Sequence, residues 1–135
     1  MASYAVEKLE AMGLALEARA DYNPYRTQNG HMRKAFRELS AEEKAELCKA
    51  EPAYAKMICR CETITEGDIR AAIRRPVGAT TVDGVKMRTR AGMGRCQGGF
   101  CSPRVVEILA EELGVTVDEI RKRDRGSDIL MSRTK

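Results

Sequence analysis

Four cysteines stand in two close pairs, Cys59-Arg60-Cys61 and Cys96 with Cys101, reading C-x-C, a gap of 34 residues, then C-x4-C. Thiols grouped in this way are a metal-site pattern. The second pair lies in Gly92-Met93-Gly94-Arg95-Cys96-Gln97-Gly98-Gly99-Phe100-Cys101-Ser102-Pro103, a stretch rich in glycine. Sulfurs of a metal cluster accept hydrogen bonds, so a cluster site needs backbone N–H groups turned inward. Gly94, Gly98 and Gly99 would permit the positive φ angles and close approach of such a loop. Ser102 and Pro103 read as the N-cap and first residue of a helix, which sets the positive end of that helix beside Cys101 and would stabilise its thiolate.

The spacing bears on which metal. Structural zinc sites favour knuckles with two to four residues between ligands, and C-x-C with C-x4-C is not that pattern, although four thiolates suit zinc or iron–sulfur alike. A [2Fe-2S] cluster suits two pairs better, one pair for each iron. Met57 to Glu62 reads as an extended segment, where side chains two apart share a side, so Cys59 and Cys61 are expected to point the same way and grip one metal ion. Four thiolates around an oxidised cluster carry a net charge of about −2, and Arg60, Arg95 and Arg104 are placed to offset it. Cys48 lies apart from both pairs and reads as a small buried hydrophobe. His31, the only histidine, reads as a solvated loop residue.

These residues need elements to hold them. Residues 3–13 read as a short helix with Val6, Leu9 and Met12 on one face, too small to bury itself alone. Residues 17–37 read as an extended linker with Tyr22, Tyr25 and Phe36 as anchors and Arg26, Arg33, Lys34 and Arg37 as a solvated face. Ser40 with Glu43 is a capping box opening a helix to about Ala50, ended by Glu51-Pro52. Thr65 with Asp68 opens the next, with Ile69, Ala72 and Ile73 as its stripe and Pro76 past its end. Thr80 or Thr81 caps a helix through Val85 to about Arg90. From Pro103, Val105, Val106, Ile108, Leu109 and Leu113 mark the strongest helix, closed by Gly114. Thr116 with Glu119 opens a last short helix with Ile120, and the chain from 126 to 135 is expected to be a loose tail. The fold class is therefore mainly α, with short helices around a cysteine-containing glycine-rich loop, preceded by a helical and extended arm.

Composition narrows the function classes. The chain has 135 residues, 4% of them aromatic and none tryptophan, so a large aromatic core is excluded. A third is charged with a formal net charge of only +4, and no aromatic residues interleave the basic ones, which gives no argument for nucleic acid. No apolar run is long enough for a membrane span, and the N-terminus has no signal-peptide pattern. Five cysteines in that setting point to a reducing, cytoplasmic compartment, where paired cysteines bind metal more often than they form disulfides. A small helical domain also commonly needs a metal staple.

Residues 57–114, above all VKMRTRAGMGRCQGGFCSPRVVEILAEELG, resemble the [2Fe-2S]-binding domain of the bacterioferritin-associated ferredoxin type, in the form found at the C-terminus of FAD-dependent glycerol-3-phosphate dehydrogenase-like oxidoreductases. The resemblance implies that Cys59, Cys61, Cys96 and Cys101 are the cluster ligands. It extends upstream, where YNPYR and FRELSAEEKAELCKAEPAYAKMICRCE are similar to the segment joining the flavin domain to the cluster domain. The helix pattern marks a small helical domain over 55–125 and a loose tail over 126–135, and the resemblance implies that 1–54, a helix, linker and helix, is the tail of a flavin domain. No G-x-G-x-x-G dinucleotide motif is present, so the family's FAD and substrate sites have nothing to map onto here. The expectation is a C-terminal piece or separate subunit of a larger flavoprotein, with FAD in the parent domain. In that reading the cluster passes electrons between the flavin and an acceptor, and the chain alone catalyses nothing. The competing readings are a structural zinc or metal-delivery module that serves as a docking domain, and a thiol switch between Cys96 and Cys101, which leaves the C-x-C pair unexplained.

Overall fold

The structure, a computed structural model, describes residues 2–17 and 35–131. His31, Tyr22, Tyr25, Arg26, Arg33 and Lys34 lie outside the described residues. The chain divides into two units, residues 1–32 and 33–135. The first holds helix α1 (Ala2–Ala11), whose Val6, Leu9 and Met12 are all exposed.

The second unit begins with a single 3-10 turn over Phe36–Glu38 and helix α2 (Ala41–Ala50). Ser40 caps α2: the Glu43 N–H donates to its Oγ at 3.2 Å, and its own N–H donates back to the Glu43 carboxylate at 2.7 Å. No α2 residue is fully buried, and Cys48 is half-buried rather than sealed in a core as expected, because α2 lies on the outside of the unit. A second 3-10 turn, Pro52–Ala55, follows and turns Tyr54 inward to 2% exposure. The Tyr54 ring stacks on Phe36, with centroids 6.3 Å apart.

Strands β1 (Met57–Cys59) and β2 (Ile64–Thr65) form a small antiparallel hairpin, with Met57 opposite Thr65 and Cys59 opposite Ile64 across an irregular register. Strand β2 runs straight into helix α3 (Glu66–Arg74). Thr65 is the hinge of that junction. Its Oγ accepts the Asp68 N–H at 3.2 Å, while its N–H donates to the Asp68 carboxylate at 2.9 Å. The expected stripe of Ile69, Ala72 and Ile73 is buried.

Helix α4 (Val82–Thr89) is capped by Thr81, whose Oγ1 accepts the Gly84 N–H at 3.0 Å. Helix α5 (Ser102–Leu113) ends at Gly114 and buries Val105, Val106, Ile108 and Leu109. Helix α3 packs against both α4 and α5, so the core is one cluster of Ile69, Val85, Ile108, Leu109 and Ile120, each with 2% exposure or less. Ion pairs lock α3 to α5 from outside: Arg70 bonds Glu111 at 2.6 Å and also Glu112, and Arg74 holds Glu112 at 2.6 Å.

The C-terminal segment departs from expectation in its first element. Thr116–Glu119 forms a single 3-10 turn, Val117–Glu119, in place of a short α-helix, since Ile120 turns away extended into the core. Residues 121 and 122, just beyond it, are tied to α4. The first free N–H groups of α4, on Val82 and Asp83, donate to the carbonyls of Arg121 and Lys122 at 3.1 and 2.9 Å. Lys122 pairs with Asp83 at 2.9 Å, and Arg121 bridges to Asp128. The α4 N-terminus needs acceptors, and this segment supplies them. Among the described residues no helix is long and apolar enough to cross a membrane.

Candidate metal centre

Two structures carry the four cysteines: the β1–β2 hairpin and the loop between α4 and α5. Cys59 ends β1 and is buried at 2% exposure. The strand stops there and the chain turns over residues 60–63, with Thr63 at φ 55°. Cys61 therefore lies in the turn and is exposed. The expectation that Cys59 and Cys61 share a side fails for this reason: the alternation of an extended chain ends with the strand. The turn is held from just past α4, where Arg90 Nε donates to the Glu62 carboxylate at 2.8 Å.

The loop is a run of tight turns. Met93 N–H donates to the Arg90 carbonyl, Gln97 N–H to Gly94, Gly99 N–H to Cys96, and Ser102 N–H to Gly98, all between 2.9 and 3.0 Å. The Gln97 amide adds a bond to the Gly94 carbonyl at 3.0 Å. Two glycines are required by geometry. A Cβ on Gly94 would lie 2.1 Å from the Cys61 Cβ, so only glycine lets the loop sit on the hairpin turn. Gly98 has φ +88°, and a Cβ there would meet Ser102 Oγ at 2.5 Å. A Cβ on Gly99 would come within 3.3 Å of the Cys96 carbonyl.

This seating brings the cysteines together across the two structures. Cys61 Sγ and Cys96 Sγ are 3.8 Å apart. The Cys101 thiol, 3% exposed, meets the Cys59 thiol within hydrogen-bonding reach. Two sulfurs on one tetrahedral metal, at a metal–sulfur distance of about 2.3 Å, lie about 3.8 Å apart. Among the described residues no three His, Cys, Asp or Glu side chains gather where one ion would hold them all. The four thiols thus form two pairs, Cys61 with Cys96 and Cys59 with Cys101, an arrangement that a two-metal cluster would fit with one pair to each metal.

The two pairs differ electrostatically. Cys96 accepts backbone N–H bonds from Phe100 and Gly98, with a further one from Gly99, and these hold its thiol below the ordinary range. Cys101 behaves oppositely to expectation: burial pushes its thiol up to about 11, with Cys59 and Cys96 adding to the shift. The helix end is also one residue earlier than Ser102, with Cys101 itself at the N-cap position and Ser102 the first residue of α5. A helix end beside a sulfur sealed from water does not outweigh the desolvation.

Arg60 and Arg95 are exposed on the outside of the turn and the loop. Arg104 is committed elsewhere, to Glu107 at 2.7 Å and Glu66 at 3.4 Å. Glu66 is a feature without a sequence signal. It is 2% exposed at the first turn of α3, with Arg70 Nη2 at 2.7 Å and Lys56 at 3.5 Å. Burial raises its pKa, but the Arg70 hydrogen bond, the Arg70 and Lys56 charges and Arg104 outweigh that and leave it below the usual carboxylate range. Phe100, between Cys96 and Cys101, stands 89% exposed.

Residues 57–111 match the BFD-like [2Fe-2S] binding domain. The chain is 54% identical over 132 residues, 98% of its length, to a glycerol 3-phosphate dehydrogenase of Caloramator mitchellensis, of which it covers 27%. It is 53% identical over 53 residues, 36% of its length, to the hydrogen cyanide synthase subunit HcnB of Pseudomonas aeruginosa, covering 11% of that protein. It is 45% identical over 65 residues, 47% of its length, to an opine oxidase subunit of Rhizobium meliloti, covering 12%. The chain thus spans about a quarter or less of the length of these relatives. No solved structure matches it.

Proposed function

We propose, from the match of residues 57–111 to the BFD-like [2Fe-2S] binding domain, that this chain is the electron-transfer domain of a glycerol-3-phosphate dehydrogenase-like flavoprotein. Cys59, Cys61, Cys96 and Cys101 hold the cluster, which supplies one-electron chemistry when bound. The chain's own part is to fix the four sulfurs, to present N–H groups to Cys96, and to keep Cys59 and Cys101 from water. FAD belongs to the part of the parent protein that this chain does not span, and the segment ahead of residue 55 joins the two. The cluster relays electrons between that flavin and an acceptor.

The observation that carries the reading is the pairing of thiols across hairpin and loop, with the Cys61–Cys96 separation of 3.8 Å matching two ligands of one metal. The test is a visible absorption spectrum with iron, sulfide and zinc analysis on protein purified without oxygen. Two irons and two sulfides per chain, the content of the family's cluster, with colour bleached by dithionite, support it. Zinc without sulfide or colour, even after attempted reconstitution, replaces it with a structural zinc or metal-delivery domain. Cys96→Ser is expected to remove or alter the chromophore, and Cys48→Ser to leave it unchanged.

A further inference from the structure

Resting on the cluster reading, we infer that each iron is held by one cysteine from the hairpin and one from the loop, Cys61 with Cys96 and Cys59 with Cys101, and that the iron of Cys61 and Cys96 is the one reduced. The spacing C-x-C and C-x4-C suggests the other pairing, in which neighbours in the chain share a metal. The fold separates those neighbours. Strand β1 ends at Cys59, so Cys59 is buried while Cys61, in the turn, is exposed. Cys96 is half-buried and Cys101, at the start of α5, is buried at 3% exposure. The outer sulfur of one structure faces the outer sulfur of the other at 3.8 Å, and the two inner sulfurs face each other.

The asymmetry decides where an added electron resides. Reduction of an oxidised cluster adds one negative charge, converting one ferric ion to ferrous, with no bond made or broken and no proton taken up. The electron comes from a one-electron donor, a reduced flavin in the parent protein or dithionite in the test. Added negative charge is stabilised by water and by N–H dipoles, and opposed by an apolar surround. Cys61 is exposed, and Cys96 receives N–H bonds from Gly98, Gly99 and Phe100. Cys59 and Cys101 belong to the apolar core cluster with Ile64, Val105 and Ile108.

Mössbauer spectroscopy of iron-57-loaded protein distinguishes the two pairings. In Cys61→Ser/Cys96→Ser, both oxygen ligands are expected on one iron, so the oxidised spectrum shows one strongly shifted doublet and one unchanged doublet in equal amounts. Two equally shifted doublets would show that each iron received one serine, and would overturn the pairing. Should that variant not assemble, the reduced wild-type protein gives a second answer by paramagnetic proton NMR, with the cysteine β-proton signals assigned residue by residue. Cys61 and Cys96 are expected in the ferrous group and Cys59 and Cys101 in the ferric group. Cys59 and Cys61 in the same group overturns the pairing, and Cys59 with Cys101 in the ferrous group overturns the site of reduction. A wild-type chain that takes up no iron and sulfide overturns the cluster reading itself, and this inference with it.

Discussion

At the residue scale, the position most sensitive to a small change is Gly94. A methyl group there meets the Cys61 Cβ at 2.1 Å, backbone and short side chain with little room to yield. Gly94→Ala is expected to lift the loop from the hairpin at a cost on the order of 1–3 kcal/mol. It should lower iron content per chain severalfold in a metal analysis while far-ultraviolet circular dichroism stays helical. Glu66 offers a second residue-scale test. Its carboxylate is buried among Arg70, Arg104 and Lys56, so Glu66→Gln is expected to cost roughly 2–3 kcal/mol in urea unfolding, less than for an isolated buried pair because Arg70 keeps Glu111 and Glu112. The pH dependence has a definite sign. Glu66 is depressed as described, and Glu112 is depressed first by its Arg74 hydrogen bond, against burial. Depressed carboxylates stabilise the fold fully above their unfolded value of about 4.3, and the contribution is lost as pH falls through the folded value. Unfolding free energy measured against pH is expected to be level above about pH 5 and to fall in acid, with a shallower fall in Glu66→Gln.

At the scale of elements, helix starts are legible in the sequence because their code is local. Ser40 with Glu43 and Thr65 with Asp68 each span three residues, and both boxes form. Thr65 also joins β2 to α3 and is fully buried, so its loss matters more than that of an exposed cap. Thr65→Val is expected to cost about 1–2 kcal/mol and to lower the melting temperature of a domain this size by roughly 5–15 °C in a thermal scan. What stays illegible is non-local or set by very short pieces. Strand β2 has two residues and no periodicity to detect, so the hairpin leaves no signal, and the C-x-C motif reads as continuous strand although Cys61 lies in a turn. The four thiols, the loop glycines and the stripe of α5 are readable from spacing and pattern. Which sulfur meets which depends on how α4 and α5 set the loop against the hairpin. The Glu66 cradle likewise draws on Lys56, Arg70 and Arg104, a combination that exists only once α3 and α5 are packed.

At the scale of the whole molecule, a cluster held by these cysteines would close a loop from Cys61 to Cys96 that encloses α3 and α4. A cross-link over a loop of that length restricts the unfolded chain by about 3–4 kcal/mol in the chain-entropy treatment. The loaded protein is therefore expected to melt roughly 10–20 °C above the metal-free protein, measured on one preparation before and after removal of iron. The first unit should contribute little to that difference, since the apolar residues of α1 are exposed within it.

The hydrogen bonds from α4 to residues 121 and 122 set a limit on how the molecule can be divided. The family match covers 57–111, yet the fold reaches further at both ends. Upstream, Tyr54 lies so close over Gly67 that a Cβ there would meet its ring at 2.5 Å. Downstream, Ile120 fills the core, and the Arg121 and Lys122 carbonyls complete the start of α4. A fragment trimmed to 57–111 would leave a hole where Ile120 belongs, a bare patch beside α3, and two donors facing nothing. Residues 52–131 keep all three. A portable cysteine module lifted into another protein would thus have to take its flanks along, because the part that the family match covers is smaller than the part that folds.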